Sequence, residues 1–206
     1  MVQFYCMELT HYQRFLPHWL GPGASYFITF RLAGSLPREV VLRLIAERAR
    51  ELREAATRPA ANPDAGKRFF RTSDAVLDQA QHGPCYLNRP AEAAIVQAAL
   101  HYAAGAGYEL LAYCLMPNHV HLVVHLPQDA TTPLARTLQR LKSHTACYLN
   151  RLRGGEGRVW QRESYDHRIR NARELAATIA YTLNNPVKIC LFAEWQQWPH
   201  RYWHEA

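Results

Sequence analysis

Two strand-like runs joined by a two-residue break constrain the fold of this 206-residue chain more than any other feature. The runs are Tyr108 to Met116 and His119 to Leu126, and Pro117-Asn118 separates them. Both runs are rich in β-branched, aromatic and aliphatic residues, and proline and asparagine are typical turn residues. The pattern predicts a β-hairpin, and therefore a sheet in which neighbouring strands run antiparallel.

Helical and strand patterns on either side of the hairpin predict the rest of the fold. The predicted elements are a strand over 25–32, a helix from Pro37 to about Thr57, a loop over 58–67, a helix from Pro90 to about Gly105, the hairpin, a helix from Pro133 to Gly154, a short strand within 159–169 and a last helix from Asn171. In the helix after Pro133, the residues expected to face inward are Leu134, Leu138, Leu141, Tyr148 and Leu152. This order predicts an α+β fold, a small antiparallel sheet with helices on one face.

Length, charge and cysteine usage limit the domain organisation and the class of partner. We expect one domain over 1–206, with an insertion or loop region at 58–89 and a C-terminal extension at 190–206. Lys and Arg number 24 against 17 Asp and Glu, and the formal charge of +7 favours an anionic partner, nucleic acid first. Five scattered cysteines without a C-x-x-C pair indicate reduced thiols.

No segment of the sequence has the pattern of a membrane span or a secretory signal. The longest uninterrupted apolar run, Leu110 to Met116, is far shorter than the ~20 residues that cross a bilayer. The first residues lack the basic and apolar regions of a signal peptide. These features predict a cytoplasmic protein with no membrane partner.

The second strand of the hairpin carries a pair of histidines, His119 and His121. Side chains alternate between the faces of a strand, so both imidazoles point the same way, ~7 Å apart along the chain. They can converge on one metal ion, or they can be two histidines on a solvated face of the sheet. His125 shares that face but lies ~14 Å from His121, too far to bind the same ion.

The last helix carries a second group of candidate residues. Tyr181 and Asn185 are four residues apart on a polar stripe, roughly opposite the apolar stripe of Leu175, Ile179 and Leu183. Core packing therefore does not explain Tyr181. The alternative is a surface tyrosine followed by an asparagine that marks the end of the helix before Pro186.

Together these residues describe a phosphoryl-transfer site. Two imidazoles and an amide oxygen, without a thiolate, favour a divalent ion such as Mg²⁺ or Mn²⁺. Such an ion stabilises charge on a scissile phosphate, and the Tyr181 hydroxyl can attack the phosphorus. A phosphotyrosine ester keeps the energy of the broken phosphodiester, so a second strand end can reseal it without ATP.

Three segments resemble the conserved blocks of one transposase family. They are Leu115-Met-Pro-Asn-His-Val-His-Leu-Val-Val124, Val159-Trp-Gln-Arg-Glu-Ser-Tyr-Asp-His-Arg-Ile-Arg170 and Tyr181-Thr-Leu-Asn-Asn-Pro-Val-Lys188. The first is similar to the metal-binding HUH segment (His, bulky hydrophobe, His) of single-tyrosine transposases. All three resemble the REP-associated tyrosine transposases, where REP means repetitive extragenic palindrome. The likeness runs from about Tyr26 to Tyr202.

The resemblance implies a fold, a reaction and a set of site residues. It implies a ferredoxin-like fold with a four-stranded sheet, His119, His121 and Asn185 as metal ligands, and Tyr181 as the nucleophile. Members of the family are bacterial, cut single-stranded DNA beside palindromic hairpins, form a 5′-phosphotyrosine and free a 3′-hydroxyl. A divalent ion is the one cofactor. Ile189 and Cys190 depart from the family pattern, which has a small residue and a glycine there.

Basic and aromatic residues near these blocks are candidates for DNA contacts, because unpaired bases stack on aromatic rings and phosphates pair with cations. The predicted contacts are Lys188, Arg162, Arg170, Trp160, His167, Arg140 and Lys142. The alternative is that the cations solubilise the surface and that Trp160 fills the core.

Two rival functions are weighed against the transposase. A histidine-triad nucleotide hydrolase needs a third alternating histidine, and Val123 occupies that position. The second rival is a catalytically silent module of the same fold, a domesticated transposase that binds single strands. The one feature against it is that His119, His121, Tyr181 and Asn185 are all intact. Whether one chain or a homodimer forms the active site stays open.

Overall fold

A five-stranded antiparallel sheet forms the centre of the computed structural model, which describes residues 10–13, 17–57 and 65–204. The strands are β1 (Thr10–Gln13), β2 (Pro17–Leu20), β3 (Ala24–Arg31), β4 (Glu109–Leu115), β5 (His119–Leu126), β6 (Tyr165–Ile169) and β7 (Arg201–Trp203). The central sheet has the order β6-β3-β5-β4-β7, and every neighbouring pair is antiparallel. Strands β1 and β2 pair with each other in a separate ribbon.

In the part of the chain that the structure describes, five helices and a short 3₁₀ turn surround this sheet. The helices are α1 (Arg38–Thr57), α2 (Ala65–Asp78), α3 (Pro90–Gly107), α4 (Leu134–Arg153) and α5 (Ala172–Lys188), and the 3₁₀ turn is Trp195–Gln197. Within the described ranges, no helix combines the length and apolar character needed to cross a membrane.

The predicted hairpin is confirmed as β4 and β5. The turn is closed by the Met116 amide, which donates to the His119 carbonyl over 2.9 Å. A bulge at Leu111 shifts the register of β4 between Leu110 and Ala112. Because side chains alternate along β5, Val120 and the residues at every second position after it enter the main core, while the two histidines point to the opposite face.

The two faces of the sheet carry two different clusters of side chains. Helices α3 and α4 cover the first face, where they bury a large apolar core against β3, β4 and β5. Helices α2 and α5 cover the second face, where Phe70 and Ile179 pack against Phe27 and Val123. The second face is where the candidate residues lie, so α2 and α5 position the site.

The predicted α+β antiparallel fold is confirmed, with differences in detail. The sheet has five strands, because the short edge strand β7 adds to the predicted four. The helix α2 lies partly within the region predicted as a loop over 58–67, and residues 58–64 of that loop lie outside the described residues. Helices also cover both faces of the sheet, because α2 and α5 bury apolar residues against the face opposite α3 and α4.

The predicted inward face of α4 is wrong at two positions. Tyr148 and Leu152 are 46% and 48% exposed. The buried stripe passes instead through Thr145 and Leu149, because the Thr145 hydroxyl accepts a hydrogen bond from the indole of Trp160, 2.8 Å away. A buried indole N–H that needs an acceptor therefore places a threonine where an apolar residue was expected.

Helix α5 continues through Pro186 to Lys188, so Asn185 does not mark its end, contrary to the alternative interpretation of that residue. The amides of Ile189 and Cys190 then bond to the carbonyls of Asn185 and Val187. Cys190 has a φ of 57°, the left-handed conformation that glycine adopts most easily at this position after a helix. The helix end thus keeps the geometry of a glycine cap although the glycine of the family pattern is absent.

Candidate active site

His119 and His121 of β5 are fully buried and oriented by neighbouring side chains. Nδ1 of His119 donates to Oδ1 of Asn118 over 2.6 Å, and the Asn118 amide nitrogen donates to the Leu77 carbonyl of α2. The second bond fixes which end of the Asn118 amide faces the imidazole. His119 must therefore carry its proton on Nδ1, which leaves the lone pair of Nε2 free to bind a metal ion.

The Nε2 atoms of both imidazoles converge on one point together with a carboxylate. His119 Nε2 and His121 Nε2 are 3.0 Å apart, and Oδ1 of Asp74 lies 3.9 Å from the first and 3.3 Å from the second. Ligands at ~2.1 Å from one ion and at right angles to each other lie about 3 Å apart. These three atoms therefore have the spacing of a ligand set for one divalent ion.

His119 stays neutral in this environment. Burial lowers its pKa well below the usual value, and the adjacent imidazole of His121 lowers it further, whereas the Asp74 carboxylate raises it less. A neutral imidazole is the form that binds metal. The other imidazole is held from the next strand, where the Thr29 hydroxyl lies 2.9 Å from its Nδ1.

Asp74 enters the site from α2 and is almost completely buried. Burial alone would raise the pKa of its carboxyl, but the neighbouring imidazoles of His121 and His119 and the hydroxyl of Tyr181 outweigh burial. Its pKa therefore lies well below the usual range, and the carboxylate is ionised. No residue of α2 was predicted to belong to the site, so Asp74 is an addition.

The two oxygens of Asp74 face different partners. Oδ1 points to the imidazole pair and accepts no hydrogen bond from the residues that the structure describes. Oδ2 accepts hydrogen bonds from the Tyr181 hydroxyl and from Lys188 Nζ, the latter over 3.0 Å. One carboxylate thus connects the candidate metal position to the candidate nucleophile.

Tyr181 lies at the site in the same chain as the histidines. Its ring packs against Phe27 and Phe70, with both centroids 6.0 Å away, and its centroid is 5.8 Å from that of His121. Burial raises the pKa of its hydroxyl well above 10, and the negative charge of Asp74 raises it further. The hydroxyl is therefore protonated unless a nearby positive charge offsets that carboxylate.

Asn185 is buried one helical turn after Tyr181. Its side-chain nitrogen donates to the Tyr181 carbonyl over 3.0 Å. Its Oδ1 is buried and, among the described residues, has no hydrogen-bond partner. A buried amide oxygen without a donor is unfavourable and is satisfied when it binds a cation, so Asn185 as a metal ligand stays a prediction supported by this oxygen.

Two of the residues predicted to contact DNA are buried or occupied by hydrogen bonds within the protein. Trp160 is 5% exposed and stacks edge-on against Phe30, so it fills the core. Lys142 donates to the carbonyls of Gln161 and Arg162 and to the Ser164 hydroxyl, which uses the three donors of its ammonium group. Neither side chain is available to DNA in this conformation.

The other predicted contacts lie at the surface or in ion pairs. Arg140 and Arg162 are exposed. Lys188 is 44% exposed and forms ion pairs with Asp74 and Asp78, at 3.0 and 2.5 Å. It lies beside Tyr181, with Nζ 5.4 Å from the ring centroid, so a phosphate at the tyrosine would be within its reach.

His167 and Arg170 pair with Glu174 at the start of α5. The Glu174 carboxylate accepts from the Arg170 guanidinium at 3.1 and 3.2 Å and lies 3.0 Å from Nε2 of His167. The hydrogen bonds from Arg170 lower the pKa of Glu174 well below its usual value. Asn171 caps the helix, since its side chain accepts from the Glu174 amide.

We expect Glu174→Gln to lower the melting temperature of the protein at pH 7. A carboxylate whose folded pKa is depressed stabilises the fold above its usual pKa near 4.5. This contribution is lost as the pH falls towards the depressed pKa. The difference in melting temperature between the wild type and the variant should therefore narrow from pH 7 to pH 3. The matched control is Glu156→Gln in the exposed Gly-rich turn, and a difference that stays constant with pH would contradict the ion-pair assignment.

One sequence signal could have identified Asp74. The segment Phe70 to Asp78 places two carboxylates, Asp74 and Asp78, four residues apart on a helix face that also carries Phe70 and Leu77. Two acidic groups on an apolar face are unusual, since a buried carboxylate needs a partner. Because turn residues directly precede this helix, the segment was included in the predicted insertion or loop region at 58–89.

Comparison with known proteins finds several that are similar to part of this chain. A family model described as "Transposase IS200 like" matches residues 85–182. A putative REP-associated tyrosine transposase of Haemophilus influenzae is 30% identical over 105 residues, which cover 47% of this chain and 60% of the relative. A REP-associated tyrosine transposase of Escherichia coli (strain K12) is 27% identical over 99 residues, 47% of this chain and 55% of that relative. The matched stretches thus span less than two thirds of the curated relatives.

The fold has a counterpart among solved structures. A REP-associated tyrosine transposase bound to a REP hairpin superposes with a TM-score of 0.53, over 93% of this chain and 81% of that one. The identity is 17%, so this likeness concerns the fold alone. The matched family segment contains both histidines and Tyr181, and α2 with Asp74 lies before it.

Proposed function

We propose, from the relationship of this chain to the REP-associated tyrosine transposases, that it cleaves and rejoins single-stranded DNA beside palindromic hairpins through a 5′-phosphotyrosine. The observation that supports this most directly is the convergence of Tyr181, Asp74, His119 and His121 in one chain. These residues come from three elements separated by up to 107 positions, and each has a role in the reaction.

The ligand set fits a hard or borderline divalent ion. Two imidazole nitrogens, one carboxylate oxygen and the amide oxygen of Asn185 would hold Mn²⁺ or Mg²⁺, because carboxylate and amide oxygens suit both and imidazole suits Mn²⁺ better. When bound, the ion supplies Lewis-acid stabilisation of the charge that develops on the scissile phosphate. The Asp74 carboxylate helps to keep the Tyr181 hydroxyl protonated, and a cation held beside it would offset that effect.

The residues of the chain carry out the covalent step. The Tyr181 oxygen forms a bond to the phosphorus, and the bond from phosphorus to the 3′-oxygen of the preceding nucleotide breaks with its electron pair. Oδ2 of Asp74 accepts the hydrogen bond of the phenol and so orients its oxygen. The depressed pKa of Asp74 makes it a weak base, so the phenolic proton leaves to solvent and the departing 3′-oxygen takes up a proton in its place. The products are a 5′-phosphotyrosine and a 3′-hydroxyl, and attack by another 3′-hydroxyl reverses the step.

Lys188 and the exposed arginines supply the positive charge that a DNA strand needs. Lys188 lies beside the nucleophile, and a phosphate there would replace one of its two carboxylate partners. Arg140 and Arg162 are exposed and belong to a chain of net charge +7. The protein works in the bacterial cytoplasm in this proposal, as a monomer or a homodimer.

The test of this proposal is a covalent adduct. Purified protein is mixed with Mn²⁺ and a single-stranded DNA that contains a hairpin with unpaired arms, and the products are separated under denaturing conditions. A protein–DNA species that survives denaturation, and a matching free 3′-hydroxyl fragment, would support the transposase. DNA binding without any adduct would instead support the catalytically silent module.

We expect the affinity for this DNA to fall steeply with salt. Contacts to about five phosphates give a slope of about −3.5 in log K against log salt for a single strand, so affinity falls about 10²-fold from 50 to 200 mM. Fluorescence anisotropy with a labelled hairpin measures this slope. A flat profile would contradict binding through the basic surface, and with it the nucleic-acid proposal.

A further inference from the structure

An open cleft lies beside the candidate active site, between α1, α2 and the edge of the sheet. Asp74 and Thr29 line the cleft. Thr29 also contacts His121, and Asp74 also contacts Tyr181. The cleft therefore begins where the covalent chemistry takes place, and none of the assigned roles uses it.

The wall of the cleft is aromatic and aliphatic. Phe70 of α2 and Tyr165 of β6 stack with their ring centroids 4.5 Å apart and planes 26° from parallel. Leu36 and Ile45 add an aliphatic side. A surface of this kind suits a flat ring better than a charged phosphate, because aromatic side chains bind unpaired bases through their faces.

Arg31 adds a cation to this apolar wall. It pairs with His119 in the register of β3 and β5, so its side chain leaves the same face of the sheet as the imidazoles. Burial lowers the pKa of its guanidinium to about 10. Among the described residues, its one side-chain hydrogen bond is to the Ser35 hydroxyl at 3.3 Å, and no carboxylate pairs with it. Most of its five N–H donors are thus available to a ligand.

We propose that this cleft binds one unpaired base of the DNA strand next to the scissile phosphate, with the base ring against Phe70 and Tyr165 and its hydrogen-bond acceptors on Arg31. The inference rests on the proposed function and adds a specificity-determining pocket to it. A guanidinium presents paired donors to the acceptors of a base edge. A base is also uncharged, so it can lie against the apolar wall, whereas a charged phosphate would lose its hydration there.

The rim of the cleft is fixed independently of any ligand. Gln161 and Ser164 line it, and Lys142 of α4 holds this segment through bonds of 2.6 Å to the Gln161 carbonyl and 3.1 Å to the Ser164 hydroxyl. The Gln161 amide in turn donates to the Arg31 carbonyl over 2.8 Å. Lys142 therefore acts as a positioning residue for the pocket rather than as a DNA contact.

The experiment separates base contacts from phosphate contacts. Hairpin oligonucleotides carry unpaired arms of dA, dC, dG or dT, or arms of abasic spacers that keep every phosphate. Binding is measured by anisotropy with the Tyr181→Phe protein, which retains the pocket and lacks the nucleophile. We expect the preferred base arm to bind about tenfold more tightly than the abasic arm, the scale of one stacked base.

Arg31→Gln should lower this ratio by about threefold, the scale of a lost hydrogen bond, while the contact with Phe70 and Tyr165 keeps the ratio above one. Arg31→Lys, which keeps the charge but not the paired donors, should also lower it. The matched control is Arg168→Gln, on the opposite face of β6, where Arg168 lies near Tyr26. It should change both affinities equally and keep the ratio. Circular dichroism and melting temperatures establish that each variant is folded.

The outcomes distinguish a failure of the pocket proposal from a failure of the proposed function. If Arg31→Gln weakens base and abasic arms alike, Arg31 contacts the backbone and the pocket proposal is overturned. An unchanged ratio overturns it too, as does a wild-type ratio near one, while adduct formation by the wild type would still support the transposase. Failure to bind any hairpin contradicts both the function and the pocket.

Discussion

Replacing Tyr181 with phenylalanine should abolish the covalent protein–DNA adduct and lower strand cleavage by about 10⁴-fold or more, the scale seen when an enzyme loses its nucleophile. The variant removes one oxygen, the atom that bonds to phosphorus. The ring keeps its contacts with Phe27 and Phe70, so the fold around it should survive. DNA affinity should stay within about twofold, because the basic surface is unchanged.

Denaturing gels and mass spectrometry of the adduct measure this effect. Tyr148→Phe is the matched control, since Tyr148 is an exposed tyrosine of α4 and should retain full activity. Tyr165 is the alternative nucleophile to be tested, because it belongs to the same aromatic cluster as Phe70. An adduct that persists in Tyr181→Phe, or that maps to Tyr165, would refute the assignment of the nucleophile.

Asp74→Asn should weaken Mn²⁺ binding by about 100-fold or more. Loss of an outer-shell partner typically costs 10–100-fold in metal affinity, and Asp74 supplies the one carboxylate among the three converging atoms. Asparagine has nearly the same shape and still accepts from the Tyr181 hydroxyl through its oxygen. The change therefore removes the charge of the ligand with little change in packing.

Calorimetric titration and the electron paramagnetic resonance spectrum of bound Mn²⁺ measure this without any DNA. Asp78→Asn is the matched control, one helical turn later on α2, because Asp78 pairs with Lys188 and is not one of the converging ligand atoms. We expect the control to keep Mn²⁺ affinity within a few fold. Equal affinity in wild type and Asp74→Asn would show that Asp74 is not a ligand, whatever its effect on cleavage.

The parts of the fold that were predictable from sequence are those with a local cause. Alternation along His119–Leu126 separates imidazoles from core residues, and the Asn171 side chain, which caps the Glu174 amide, marks where α5 begins. Both signals need only a few neighbouring residues. The grouping of Tyr181 with the two histidines came instead from the reaction that these residue types can carry out together and from the family resemblance, since no local pattern places α5 on their face of the sheet.

The residues that sequence reasoning missed depend on contacts between distant segments. Asp74 becomes a site residue because α2 packs across the sheet, and nothing within the helix itself specifies that packing. Trp160 was predicted as a DNA contact because tryptophan stacks on bases, yet its indole finds a buried acceptor in Thr145. Arg31 carries no motif, and it enters the site through the pairing of β3 with β5.

The distance along the chain between the site residues makes the candidate site depend on the finished fold. Asp74 and Tyr181 are 107 positions apart and meet because α2 and α5 pack against the same face of the sheet. Local unfolding of either helix would therefore separate the carboxylate from the phenol, and the arrangement exists only in the completed domain.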